Sequence, residues 1–208
     1  VREGAGDDLI VGLRISGDEM EHDGLEPAEV LEVAGALADE GAIDCVNVTA
    51  GSSAGLAGSV HIVPPMAVET AYTAPFAAAM KGRVDVPVLV TGRINQPQIA
   101  EEVLRAGQAD MCGMTRALIS DPEMPRKAEA GRLDDIRACV ACNQACIGHM
   151  LNGFPISCIQ HPETGRELEF GRLAPAGRPR RVLVVGGGPG GMKAAAVAAA
   201  RGDRKSVV

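Results

Sequence analysis

Apolar positions recur along the first two-thirds of the chain in two alternating modes. Short runs at Leu9 to Ile15, Ile43 to Thr49, Val86 to Val90 and Ala109 to Met114 have the length and composition of buried strands. Segments with helical spacing lie between them. Pro27 to Glu40 predicts a helix with Pro27 in its first turn, and Met66 to Lys81 a helix broken or kinked near Pro75. Gln96 to Ala106 predicts a helix ended by Gly107, and Asp121 to Gly131 a last short helix. A Gly/Ser loop is expected from Ala50 to Ser59. This alternation predicts an α/β fold, a parallel sheet with helices outside it.

Periodicity does not separate a barrel from a doubly wound sheet. Polar or basic groups follow three strand C-termini, at Arg14, Thr91-Gly92-Arg93 and Thr115-Arg116. In a TIM (β/α)8 barrel that edge is the active-site face, and phosphate binds after strands seven and eight. Such a barrel takes about 250 residues, so the four strand–helix units here amount to its C-terminal half. Residues 1–131 are read as that half-barrel, and residues 132–180, with four of the six Cys and little periodicity, as a separate segment and linker. Residues 181–202 resume a strand–turn–helix pattern. Residues 203–208 resemble one translated frame of a common sequencing adapter and are read as a non-native tail without structural meaning. On this reading the chain is an interior piece that stops before the second strand of its last unit.

Aromatic residues make up 2% of the chain and Trp is absent, so the core must come from Val, Leu, Ile, Ala and Met. With a net charge of −7 and no basic run interleaved with aromatics, nucleic acid is not expected as a partner. The cluster Arg178-Pro179-Arg180-Arg181 reads as a solvated linker end. No stretch approaches the roughly 18–20 apolar residues of a membrane span. Val1-Arg2-Glu3-Gly4 does not begin a signal peptide, so a cytoplasmic, reducing location is the default.

Cys139-x2-Cys142-x3-Cys146-x11-Cys158 is the strongest chemical signal. Four thiolates can ligate the four irons of a 4Fe-4S cluster. Zinc also accepts four thiolates, but zinc ribbons usually pair two C-x2-C knuckles, which this spacing lacks. A disulfide framework is disfavoured by the compartment, and free structural thiols stay open. Cys45 and Cys112 fall in predicted strands and read as small buried hydrophobes. Further on, Gly186, Gly188 and Gly191 hold the positions of a G-x-G-x-x-G turn after the strand Val182 to Val185, with Pro189 and Gly190 between them and an Ala-rich helix following. The first Gly makes the turn, the second lets a pyrophosphate approach, and the third packs helix on strand. This predicts the start of a Rossmann-type dinucleotide-binding domain, with FAD and NAD(P) undistinguished.

Three runs carry a family likeness: Thr91 to Asn95, Ala109 to Pro122, and Asp134 to Cys146. They resemble the old-yellow-enzyme relatives that carry an iron–sulfur cluster, a group that includes 2,4-dienoyl-CoA reductase and trimethylamine dehydrogenase. Within it the chain looks closest to the mycofactocin-associated branch. The resemblance spans the chain up to Arg201 and implies site residues. Arg14 would lie near the flavin N1–C2=O edge, and Gly92, Arg93, Met114, Thr115 and Arg116 would form the FMN phosphate site. Cys139, Cys142, Cys146 and Cys158 would hold the cluster, and Gly186 to Gly191 the FAD. His61, in the long loop after the second strand, would assist protonation of the substrate, while the other acid, usually a Tyr, belongs to the first half of the barrel. The competing readings are plain: Arg14 and Arg93 as ion-pair partners at a barrel mouth, and His61 as an ordinary loop histidine.

The implied reaction runs from NAD(P)H to FAD, through the cluster to FMN, and on to an activated C=C of a small-molecule substrate. An alternative is oxidative demethylation of an amine, with electrons flowing outward; an aromatic cage would favour it. A non-catalytic zinc-binding interaction module and an unfolded fragment with open strand edges complete the alternatives.

Overall fold

The structure is a computed structural model and describes every residue except Asp7 and Arg172. It divides into two compact units, Val1–His161 and Pro162–Val208.

In the first unit the four apolar runs form one parallel sheet in the order β1-β2-β3-β4. These strands are β1 Gly12–Ser16, β2 Cys45–Thr49, β3 Val88–Thr91 and β4 Met111–Gly113. The register pairs Arg14 with Asn47, Asn47 with Leu89, and Leu89 with Met111. Side chains alternate between the two faces of each strand. Val46, Val48, Val88 and Val90 therefore share one face, and all four are fully buried. The helices cover that face. After α1 (Arg2–Ala5), α2 (Pro27–Asp39) contributes Val30 and Ala34 to the core, α4 (Ala74–Lys81) contributes Ala77 and Met80, and α5 (Pro97–Arg105) contributes Val103. The opposite face carries Arg14, Ser16, Asn47, Thr49 and Thr91, with Thr91 donating to Asn47 Oδ1 at 3.1 Å. The strands are thus apolar on the helix side and largely polar on the other.

The helix limits at α2 and α5 follow the sequence reading, since Pro27 and Pro97 both open their helices. Three other segments depart from it. The expected loop at 50–59 gives way at Leu56 to a short helix, α3 (Leu56–Ile62). Glu21 accepts the Gly58 N–H at 2.8 Å in its first turn; a carboxylate there suits the helix dipole. The helix expected from Met66 begins only at Ala74. Ala71 has a left-handed φ of 53°, which no helix accommodates, and Pro75 starts α4 rather than kinking it. The helix expected at 121–131 shortens to α7 (Met124–Glu129), and a second short helix, α6 (Thr115–Ser120), precedes it. Six residues are too few to display a period.

A 3-10 turn (Leu133–Asp135) and α8 (Ile147–Leu151) complete this unit. The cysteine segment is part of it: the division at 161/162 falls inside the stretch read from sequence as 132–180.

The second unit begins with α9 (Glu167–Phe170) and continues as β5 (Arg181–Val184), α10 (Pro189–Ala200) and β6 (Arg204–Val207). β5 and β6 pair in parallel, Arg181 opposite Arg204 and Val184 opposite Val207. This corrects the expectation that 203–208 has no structural meaning and that the second strand is missing. The pairing rests on backbone hydrogen bonds, since all four β6 residues are exposed.

Candidate cofactor site

A cavity of about 550 Å³ opens at the C-terminal ends of the four strands. Its walls hold Ser16, Thr49, Thr91 and Gly113 from the ends of β1 to β4, and three arginines. Arg14 projects from β1, Arg93 follows β3, and Arg116 lies in α6 after β4. Gly92 and Thr115 share the wall. The sequence-predicted residues Arg14, Gly92, Arg93, Thr115 and Arg116 are therefore brought together.

Among the described residues none of the three arginines has an ion-pair partner. Arg93 adopts a left-handed φ of 53°, and its Nε is buried without a hydrogen-bond partner. Its pKa is lowered by burial first and by the Arg116 guanidinium second, with Cys139 acting in the opposite sense. Guanidiniums that repel each other across a partly desolvated wall favour an anion between them. Two glycines keep that wall open. A Cβ on Gly92 would collide with the fully buried Thr73 side chain, and one on Gly113 with Thr91 Oγ1.

Met114 and His61 are not on the wall. Met114 precedes α6 and packs against the core. His61 sits in the last turn of α3, not in a loop, with Nδ1 at 3.1 Å from the Ala57 carbonyl. Its neighbour Ile62 does line the cavity. So does Tyr72, which sequence reasoning passed over. The Tyr72 hydroxyl donates to the His61 carbonyl, and burial pushes its pKa up to about 12, against the opposing effect of Arg116. A lone Tyr in an irregular segment carries no periodic signal.

Cys139, Cys142, Cys146 and Cys158 surround a second, smaller cavity walled by Ile119, Val140 and Ile159. Among the described residues no group of three or more His, Cys, Asp or Glu is close enough to hold a single metal ion. Cys139 Sγ accepts the Ala141 N–H at 3.4 Å. Burial raises the Cys139 pKa; that N–H and Arg116 oppose this, and Cys146 and Cys158 add to it. Arg116 and Cys139 line both cavities. Cys45 and Cys112 line neither; they are only half-buried, less than the sequence reading expected, and Cys112 packs against the core.

The cysteine segment is clamped to the sheet by residues whose role only the tertiary structure reveals. Ser120 Oγ donates to the Arg137 carbonyl at 2.9 Å, and the buried Asp121 carboxylate accepts the Arg137 N–H at 2.9 Å. Asn95 Nδ2 donates to the Cys139 carbonyl at 2.8 Å. Gln160 Nε2 donates to the Ala138 carbonyl at 2.9 Å, and its own carbonyl accepts from Arg137 Nη1 at 2.8 Å. The chain on both sides of the cysteines is thereby fixed.

In the second unit Gly186 has a φ of 100°, a conformation that favours glycine. A Cβ on Gly191 would collide with the Gly186 carbonyl, whereas Gly187, Gly188 and Gly190 face open space. Gly188 caps α10 and Pro189 opens it. The first and last glycines are thus required by the turn and its close packing, and the middle of the turn is free for a ligand to approach.

Residues 1–135 match the NADH:flavin oxidoreductase / NADH oxidase family, and the chain belongs to it. Among curated relatives, a metal reductase of Desulforamulus reducens is 36% identical over 100% of this chain and 30% of its own length. A multifunctional alkene reductase/demethylase of Caballeronia cordobensis is 37% identical, again over 100% of this chain and 30% of the relative. The chain therefore spans about 30% of the length of these relatives. Among solved structures, a 2-naphthoyl-CoA reductase in complex with 2-naphthoyl-CoA superposes with a TM-score of 0.87 and 29% identity, covering 99% of this chain and 31% of that one.

Proposed function

We propose that the chain is part of an NAD(P)H-dependent flavin and iron–sulfur oxidoreductase that reduces an activated C=C of a small-molecule substrate. Its sheet is the C-terminal half of a (β/α)8 barrel with FMN in the 550 Å³ cavity. The four cysteines hold a 4Fe-4S cluster, and the turn from Gly186 to Gly191 begins a Rossmann-type unit for FAD. One observation carries this reading: Arg116 and Cys139 belong to the walls of both cavities, so a flavin phosphate site and a thiolate site share side chains.

The residues present fit these groups. The orphaned Arg93 Nε and the Arg116 guanidinium, bonded only to neutral oxygens among the described residues, suit a phosphate dianion, and Gly92 and Gly113 leave room for it. Arg14 stands apart from the phosphate pair, on β1, where its charge would stabilise a reduced, anionic ring. The cluster is favoured over zinc by the spacing Cys139-x2-Cys142-x3-Cys146-x11-Cys158, which lacks the paired C-x2-C knuckles usual in zinc ribbons. When bound, FMN supplies hydride transfer and the cluster supplies single-electron relay. His61 lies off the cavity wall, so its role as proton donor rests on the resemblance to the family, whereas Tyr72 lines the cavity itself. With a pKa pushed up to about 12 the Tyr72 phenol stays protonated at neutral pH, and its one O–H already donates to the His61 carbonyl, so its role at the cavity is to present a neutral hydroxyl rather than to act as a strong acid.

Amine demethylation is the second reading, favoured by the name of the Caballeronia cordobensis relative. Among the described residues Tyr72 is the single aromatic side chain on the cavity, which supports a cage for a methylated cation poorly. The test uses the full-length protein purified without oxygen. Bound FMN and FAD, about four iron and four sulfide per chain, and NAD(P)H-driven reduction of an enoyl substrate are expected. Zinc in place of iron, or absence of flavin, overturns the proposal. Dehydrogenation of methylamines without enoyl reduction moves it to the second reading.

A further inference from the structure

We propose that Asn143 is a positioning residue that ties the cysteine loop to the phosphate-binding guanidinium of Arg116. This inference rests on the FMN reading above. Asn143 lies directly after Cys142 and adopts a left-handed φ of 59°, a conformation that Asn tolerates better than most residues. In that conformation its carbonyl accepts the Gly148 N–H at 2.9 Å, and a Cβ on Gly148 would come within 2.8 Å of the same oxygen. Its side chain then points away from the cysteine loop toward two other elements. Asn143 Oδ1 accepts from Arg116 Nη1 at 2.7 Å, and Asn143 Nδ2 donates to the Val63 carbonyl at 2.7 Å. Arg116 Nη1 also donates to the Pro64 carbonyl at 2.8 Å. The result is a closed ring through α6, the cysteine loop and the segment after α3, and both Val63 and Pro64 line the flavin cavity.

The chemistry of the acceptor matters. Arg116 is steered by two neutral oxygens, so its charge is held in place without being cancelled. A carboxylate at 143 would form an ion pair and withdraw that charge from a phosphate. It would also lose the donor to Val63. An amide is the one side chain here that accepts from Arg116, donates to Val63 and stays neutral.

Three variants of the full-length protein separate positioning from folding. N143G keeps access to the left-handed backbone and removes the side chain; N143D keeps the size and adds charge; N143A strains the backbone as well. FMN dissociation constants come from titration of deflavinated protein, with iron and sulfide content measured in parallel. N143G and N143D are expected to bind FMN about tenfold more weakly, with N143G retaining its iron and sulfide. In an R116M background N143G is expected to add little further loss, because the two residues act as a unit. If N143G and N143D bind FMN as tightly as the parent, the Asn143 proposal is overturned and the FMN reading stands. If N143G loses iron and flavin together, Asn143 is merely structural and the proposal is overturned. A parent protein that binds no FMN overturns both.

Discussion

Asp121 lies between the four-stranded sheet and the cysteine segment, and its removal has a calculable consequence. The residue is 4% exposed. Its Oδ2 accepts the Arg137 N–H at 2.9 Å and the Lys127 ammonium at 2.5 Å, while Oδ1 accepts the Glu123 N–H at 3.2 Å. Asp121→Ala removes all three bonds at once. Breaking one side of a buried ion pair costs about 3–5 kcal/mol. Lys127 keeps a bond to the Asp135 carbonyl at 2.9 Å and is 17% exposed, so the lower end applies. A loss of about 3 kcal/mol raises local opening on the order of a hundredfold. Native-state hydrogen exchange of peptides covering 121–140 reads this directly, and iron content should fall with it. Asp121→Asn keeps an acceptor for the Arg137 N–H and should recover part of the protection. Despite burial, which acts the other way, the Arg137 N–H and Lys127 hold the Asp121 carboxyl below the usual carboxylate range. A carboxylate depressed on folding stabilises the protein above its unfolded pKa. That contribution is lost as pH falls through the folded value, so the Ala variant should differ from the parent least in strong acid. Exchange at 121–140 that changes less than threefold at neutral pH would refute the clamp.

Arg93→Met should weaken FMN binding about 10- to 100-fold, the loss of one charge-assisted bond of about 1.5–3 kcal/mol, with Arg93→Lys recovering part of it; equal affinities in a flavin titration contradict the phosphate assignment. Gly92→Ala drives a methyl into the buried Thr73 side chain and should cost about 1–3 kcal/mol in thermal or denaturant unfolding; a neutral result means the wall is more pliable than its packing indicates. Gly191→Ala should release FAD while leaving FMN and iron in place, because its Cβ meets the Gly186 carbonyl; unchanged FAD content counts against the nucleotide turn.

Much of the fold could be read in advance. The four strands and helices α2 and α5 were legible because short apolar runs and proline-opened amphipathic segments encode them locally. Arg93 and Arg116 were legible for a related reason, since a basic residue after a buried strand emerges at the sheet edge; Arg14, expected to follow a strand, instead lies in the middle of β1 on its polar face. Helix α3 was missed because its first turn is capped by Glu21, far away in sequence. Strand β6 was missed because its residues, Arg204 to Val207, form a strand only through backbone pairing with β5. Tyr72 and Asn143 carry no signal in sequence beyond their own identity, since their partners are backbone carbonyls of 61 and 63 and, for Asn143, the guanidinium of Arg116, all distant in sequence.

Chemistry that needs a residue type at a spacing was determined by the sequence alone: four cysteines in one segment, and glycines where a turn tolerates nothing else. Which groups end up sharing a wall was decided only by the tertiary structure. Cys139 meets Arg116 because Asn95, Ser120 and Asp121 hold the segment carrying Cys139 against the sheet. Those hydrogen bonds join positions 16 to 44 residues apart. Hydrogen bonds of that span leave no periodic trace in the chain, since they depend on where folding brings the backbone rather than on which residues stand next to each other.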